Sequence, residues 1–192
     1  MAKREILVIP DKRLRDTSAP IKAIDADVRA LVDDMFETMY AAPGIGLASI
    51  QIGVAQRVVT MDLAQKDDPP DPKVFINPEI VWSSDEKSTY DEGCLSIPDI
   101  YGDVVRPFTV TFRAMDENGK EYEATGSELL GRCIQHEIDH LDGKLFLDYL
   151  SPLKRKSAMS KWEKSKAEYP GFIRKVRAEV KGEHHHANES EM

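Results

Sequence analysis

Cysteine is nearly absent: Cys94 and Cys133 are the two in 192 residues. That excludes a disulfide-stapled scaffold and makes a reducing compartment the simpler setting. No run approaches the roughly 18 apolar residues of a membrane span, so no membrane partner is expected. The opening stretch, MAKREILVIPDKRLR, has a short apolar patch followed at once by charge, unlike a signal or transit peptide. A cytoplasmic protein is expected. An overall basic balance is missing too, since the formal net charge is −8. Residues 1–150 carry 16 basic and 28 acidic side chains, whereas residues 151–182 carry 10 and 3. An acidic body is hard to read as a DNA binder, although the basic segment suits a polyanionic surface. No apolar surface stripe stands out, which predicts a monomer.

What is present describes one medium-sized domain, with 41% apolar and 31% charged residues. Residues 25–42 place Val28, Leu31, Val32, Met35, Phe36, Met39 and Tyr40 at helical spacing, ending before Pro43-Gly44. From 56 to 126, QRVVTMDL, KVFINPEIVW, VVRPFTVTFRAM and EYEATG read as strands, with an Asn-Gly turn in ENGK at 117–120. Gly126 and Ser127 open a helix over roughly 127–142 that Gly143 stops. Ser151-Pro152 starts another, LKRKSAMSKWEKSKAEY, and FIRKVRAEV after Pro170-Gly171 reads as a further helical turn set. The expectation is an α+β fold in which antiparallel sheets surround a central helix, with one helix before the sheets and another after them. We divide the chain into a body at 1–150, a basic helical extension at 151–182 and a disordered tail at 183–192, where three adjacent histidines stand.

The central helix carries the chemistry. In IQHEIDHLDGKLF, at 134–146, His136 and His140 lie one turn apart on one face and are spaced to share a metal ion. Glu137 between them is placed to take a proton from water. A hydrolytic metal site needs a third protein ligand. Continuing as HExxHxxGxxH fails, because Phe146 occupies the last position. A downstream glutamate, Glu163, has tolerable spacing and would make the chain a zinc endopeptidase. Cys94, upstream in DEGCLSIP, offers a thiolate. Two other readings are a cysteine hydrolase with Cys94 as nucleophile and His136 as base, and a binding module with a structural metal.

Three stretches in this order, GIGLASIQ (44–51), EGCLS (92–96) and QHEIDHLDG (135–143), resemble the signatures of peptide deformylases. The resemblance implies removal of the formyl group from N-formylmethionine on nascent peptides. It implies Cys94, His136 and His140 as metal ligands, Glu137 as proton carrier, and the Gln51 side chain with the Leu95 N–H as oxyanion donors. The backbone of Ile45 and Gly46 would run beside the peptide. Ile50, Leu129 and Cys133 would line the methionine pocket, and Glu92 paired with Arg106 would brace the cysteine loop. The family implies ferrous iron as native metal, with zinc, nickel or cobalt able to substitute. It also implies that residues 151–168 are a ribosome-contact helix.

Overall fold

The computed structural model describes residues 2–65 and 68–176. In chain order the elements are β1 (Ile6–Leu7), α1 (Ala26–Ala41), β2 (Gly46–Ala48), β3 (Val58–Met61), β4 (Lys73–Ser83), β5 (Lys87–Cys94), β6 (Ile97–Pro107), β7 (Thr109–Met115), β8 (Glu121–Ser127), α2 (Glu128–Leu141), α3 (Pro152–Ser165) and β9 (Ile173–Arg174). A five-stranded antiparallel sheet has the order β2-β3-β4-β7-β8, and β5-β6 and β1-β9 form two separate antiparallel pairs. The α+β expectation holds, with α2 between the large sheet and the β5-β6 hairpin.

Both long helices obey local chemistry. Asp25 caps α1, accepting bonds from the Asp27 and Val28 N–H groups at 3.0 Å. Leu31, Met35 and Met39 of its buried face pack on Ile6, Leu47 and Leu95. The end of α2 is a Schellman closure: Lys144 N–H donates to Asp139 O at 2.8 Å and Gly143 N–H to His140 O at 3.1 Å. Gly143 has φ +72° there, and a Cβ would lie 2.4 Å from Arg15 O.

Three apolar clusters meet around α2. One joins the large sheet to the helix through Val59, Phe75, Phe112, Cys133, Ile134 and Leu141. A second lies under α1 and includes Leu95. The third ties Cys94, Ile97 and Val104 of the hairpin to Phe146, Ala158 and Trp162. Trp162, 1% exposed, seats α3 against the hairpin, while Lys156, Lys161 and Lys164 stay exposed.

Several local expectations need correction. VVRPFTVTFRAM is not one strand: the chain turns at Phe108, leaving its halves in β6 and β7. The Asn-Gly turn is a five-residue loop, with Asp116 N–H donating to Lys120 O and Gly119 at φ +80°. Ser127 sits at the α2 N-cap without a side-chain cap bond, its hydroxyl pairing instead with Thr109 at 2.8 Å. FIRK does not start a helix, because Ile173 and Arg174 pair with Leu7 and Ile6. The rest of that segment from residue 177, and the tail at 183–192, lie outside the described residues.

Candidate metal centre

Placing HEIDH on a buried helix forces its polar side chains to find partners inside the protein. His136, Glu137 and His140 are each at most 2% exposed. Cys94, at the end of β5, is fully buried opposite them. Cys94 Sγ lies 3.1 Å from His140 Nε2, which lies 3.2 Å from His136 Nε2, and the three ligand atoms fall within 4.8 Å of one another. Glu163 does not join them. It stands 57% exposed on α3, paired with Lys166.

The surroundings fit a cation. His136 Nδ1 lies 3.0 Å from Glu92 Oε2, leaving Nε2 to face the sulfur and the second ring. Glu92 is fixed in turn by Arg106, whose Nε and Nη2 donate to its two oxygens at 2.5 and 2.9 Å. Burial opposes ionisation of Glu92, but the hydrogen bonds from His136 and Arg106 outweigh it and hold the carboxyl at about 2. For His136, burial also disfavours charge, yet Cys94 and Glu92 raise its pKa to about 10. His140, penalised by burial and by neighbouring His136, falls well below the usual histidine range. One soft sulfur and two imidazoles packed this closely attract positive charge, and a divalent transition metal satisfies all three at once.

Glu137 is the other unusual group. Neither carboxylate oxygen has a hydrogen-bond partner among the described residues, although both are buried. Burial raises its pKa to about 7, against the opposing pull of His136. Gly46 explains how the carboxylate fits: a Cβ there would lie 2.5 Å from Glu137 Oε1 and 3.1 Å from Cys133 Sγ. At Gly44 a Cβ would meet the Leu95 side chain at 2.6 Å. Both glycines make room for protein atoms.

The amide of Gln51 is held at both ends. Its Oε1 accepts from Ala48 N–H at 2.8 Å, which turns Nε2 toward Ser96 Oγ at 3.1 Å and Cys94 Sγ at 3.6 Å. Leu95 and Ser96 are the two loop residues between paired Cys94 and Ile97, so the Leu95 N–H lies outside the ladder. Strand β2 presents the sheet's edge. Asp62 N–H donates to Ile45 O, and Leu47 faces Thr60, so the odd-numbered residues spend their backbone groups on β3. Alternation turns those of Gly46 and Ala48 outward. Ala48 N–H is taken by Gln51, while Gly46 remains at the open edge beside Glu137.

Of the expected pocket residues, Leu129 is half-buried, but Ile50 and Cys133 are 1% and 0% exposed within the sheet-side cluster. Burial and nearby Glu137 push the Cys133 thiol well up, which keeps it an uncharged apolar wall. Three participants escaped the sequence reading. Ser96 holds Gln51 and donates its N–H to Cys94 Sγ at 3.4 Å. Asp139 accepts from Arg106 Nη1 at 2.7 Å and from Tyr149 OH at 3.0 Å, extending the His136–Glu92–Arg106 chain outward. Asp139 is written inside HEIDH, but Tyr149 carries no local signal.

An α+β frame that brings a cysteine sulfur to two imidazoles of an HExxH helix, with a buried carboxyl group beside them, defines a metal-dependent hydrolase. Comparison with known proteins narrows the class. The family model for polypeptide deformylases matches residues 3–156. The peptide deformylase of Bradyrhizobium diazoefficiens is 55% identical over 169 residues, covering 86% of this chain and 97% of that protein. A crystal structure of a peptide deformylase from Legionella pneumophila superposes with a TM-score of 0.82 at 47% identity, covering 87% of this chain and 97% of that one. The Ehrlichia chaffeensis peptide deformylase in complex with actinonin gives 0.81 at 42% identity, covering 86% and 99%. The chain belongs to the polypeptide deformylase family.

Proposed function

We propose that Glu137 is the proton carrier in this chain's reaction, the removal of the formyl group from N-formylmethionine at the start of newly made polypeptides. The observation that carries this role is the buried carboxylate with no hydrogen-bond partner among the described residues, one residue from the first histidine of the Cys94-His136-His140 cluster. A cation held by those three side chains supplies Lewis acidity to water and to the formyl group. Glu137, with a pKa near neutrality, accepts the proton of the attacking water and passes it to the departing amine nitrogen. The Gln51 amide N–H and the Leu95 backbone N–H donate to the oxygen that gains charge, and Ala48 keeps that amide from flipping. Gly46 offers its outward N–H and C=O to an extended peptide, adding a strand to the sheet edge. Glu92, backed by Arg106, holds the His136 ring in one tautomer.

For the metal we propose ferrous iron, with zinc, nickel or cobalt able to take the same soft, nitrogen-containing site. The place of action is the cytoplasm, at the ribosome. Among the described residues no helix is long and apolar enough to cross a membrane. Residues 151–168 supply the ribosome contact, since Lys156, Lys161 and Lys164 are exposed and in no ion pair among the described residues, while Trp162 faces inward. Such docking weakens as salt rises.

The test is a single preparation made without oxygen. Bound metal is quantified, and formate release from a formyl-Met peptide is measured beside internal peptide cleavage. Formate release without internal cleavage is expected. Glu137→Gln should keep the metal and lose about 10²–10⁴ in kcat, while Cys94→Ala should weaken metal binding. Full activity in Glu137→Gln would refute the assignment.

A further inference from the structure

One cation on α2 has no counter-ion among the described residues. On α2, Leu129, Arg132, Cys133 and His136 share one face by their three- and four-residue spacing. Across from them on β5, Tyr90 and Glu92 point to the same side of the strand. Two rungs result. In the inner one, His136 meets Glu92. In the next one out, the Arg132 guanidinium lies 4.6 Å from the Tyr90 ring centroid. Arg132 makes no ion pair among the described residues, and its Nε is buried without a hydrogen-bond partner. In a body as acidic as this one, an arginine with no carboxylate and an unspent buried donor is costly unless another molecule supplies the acceptor.

The position says which part of a substrate arrives there. Four helical residues put Arg132 about 6 Å along the axis from His136. The Cα of a formylated residue is two bonds from the formyl carbon, so a long first side chain spans that gap to the outer rung. The thioether of methionine is a weak acceptor, whereas the oxygen of its sulfoxide is a strong one.

We propose that Arg132, stacked on Tyr90, is a specificity-determining residue that donates to an acceptor at the tip of the formylated side chain, and that peptides beginning with N-formylmethionine sulfoxide are therefore substrates. The inference rests on the deformylation reading above. The bonds changed are the same: water adds to the formyl carbon, the carbon–nitrogen bond breaks, the amine takes a proton, and the sulfoxide leaves unaltered. Norleucine, of similar length and with no acceptor, leaves the donor unpaired.

Metal-loaded enzyme is assayed for formate release from formyl-Met-Ala-Ser and from its methionine-sulfoxide and norleucine counterparts. In the wild type, kcat/KM for the sulfoxide peptide should exceed that for the norleucine peptide by about tenfold, the scale of one buried hydrogen bond. In Arg132→Met, which keeps an apolar stem and removes every donor, the order should invert. Arg132→Lys, which restores a donor, should recover part of the preference, and melting temperatures report on folding in each variant. A wild-type enzyme that refuses the sulfoxide peptide, or an unchanged ratio in Arg132→Met, overturns the proposal and leaves the stack a packing feature. Failure of the deformylation reading looks different, because none of the three peptides would then release formate.

Discussion

At the scale of single residues, the site depends on what is left out as much as on what is supplied. Gly46 is the clearest case, since a methyl group there would overlap the Glu137 carboxylate. Gly46→Ala should retain metal, because Cys94, His136 and His140 are untouched, and should lose about 10²-fold in kcat as the carboxylate is pushed aside. Formate assays paired with metal analysis check it. Glu92 carries a pH signature. Its folded value of about 2 lies below the ordinary 4.5, so its stabilisation is complete above about 4.5 and disappears as pH falls toward 2. The shift corresponds to about 3 kcal/mol. Urea unfolding of metal-free protein between pH 5.5 and 3 should show stability falling with acid, and a flatter dependence in Glu92→Gln.

At the scale of elements, the central helix announces itself: Cys133, Ile134, Glu137 and Leu141 mark its buried side, with Leu130 half-buried against the same cluster, and Gly143 ends it where expected. Gly143→Ala would place a Cβ against Arg15 O and force a left-handed residue, at roughly 1–2 kcal/mol for the backbone alone. Calorimetry should show Tm lower by at least about 2–4 °C. The two histidines were legible from their one-turn spacing, whereas Cys94 stood beside Glu163 as a rival third group and was singled out by the family resemblance; burial of Cys94 against both rings and exposure of Glu163 belong to the fold. The β1-β9 pair was not, because FIRK has no strand-like alternation of its own and becomes extended only by pairing with residues 6 and 7. The partners of Arg106 were half legible. Glu92 lies in a recognisable stretch, whereas Tyr149 reaches Asp139 only after the chain turns back below α2. Arg132 went unnoticed because its neighbours Leu129 and Cys133 made the face read as purely apolar.

At the scale of the molecule, the three proposed ligands sit where apolar clusters converge: Cys94 belongs to the hairpin's cluster, adjacent Leu95 to that of α1, and Cys133, one turn before His136, to that of the sheet. A cation held there would join all three, and its removal should loosen the whole fold. At a free-ion concentration a hundredfold above Kd the linkage is about 2.7 kcal/mol, so chelation should lower Tm by about 5–10 °C, with recovery on adding metal back. The spacing of the ligands along the chain has a consequence for synthesis. Cys94 is made 42 residues ahead of His136. At about 5–20 residues per second the thiol waits some 2–8 s before either imidazole exists. During that interval no complete metal site exists, so an ion can be captured only after α2 has been made.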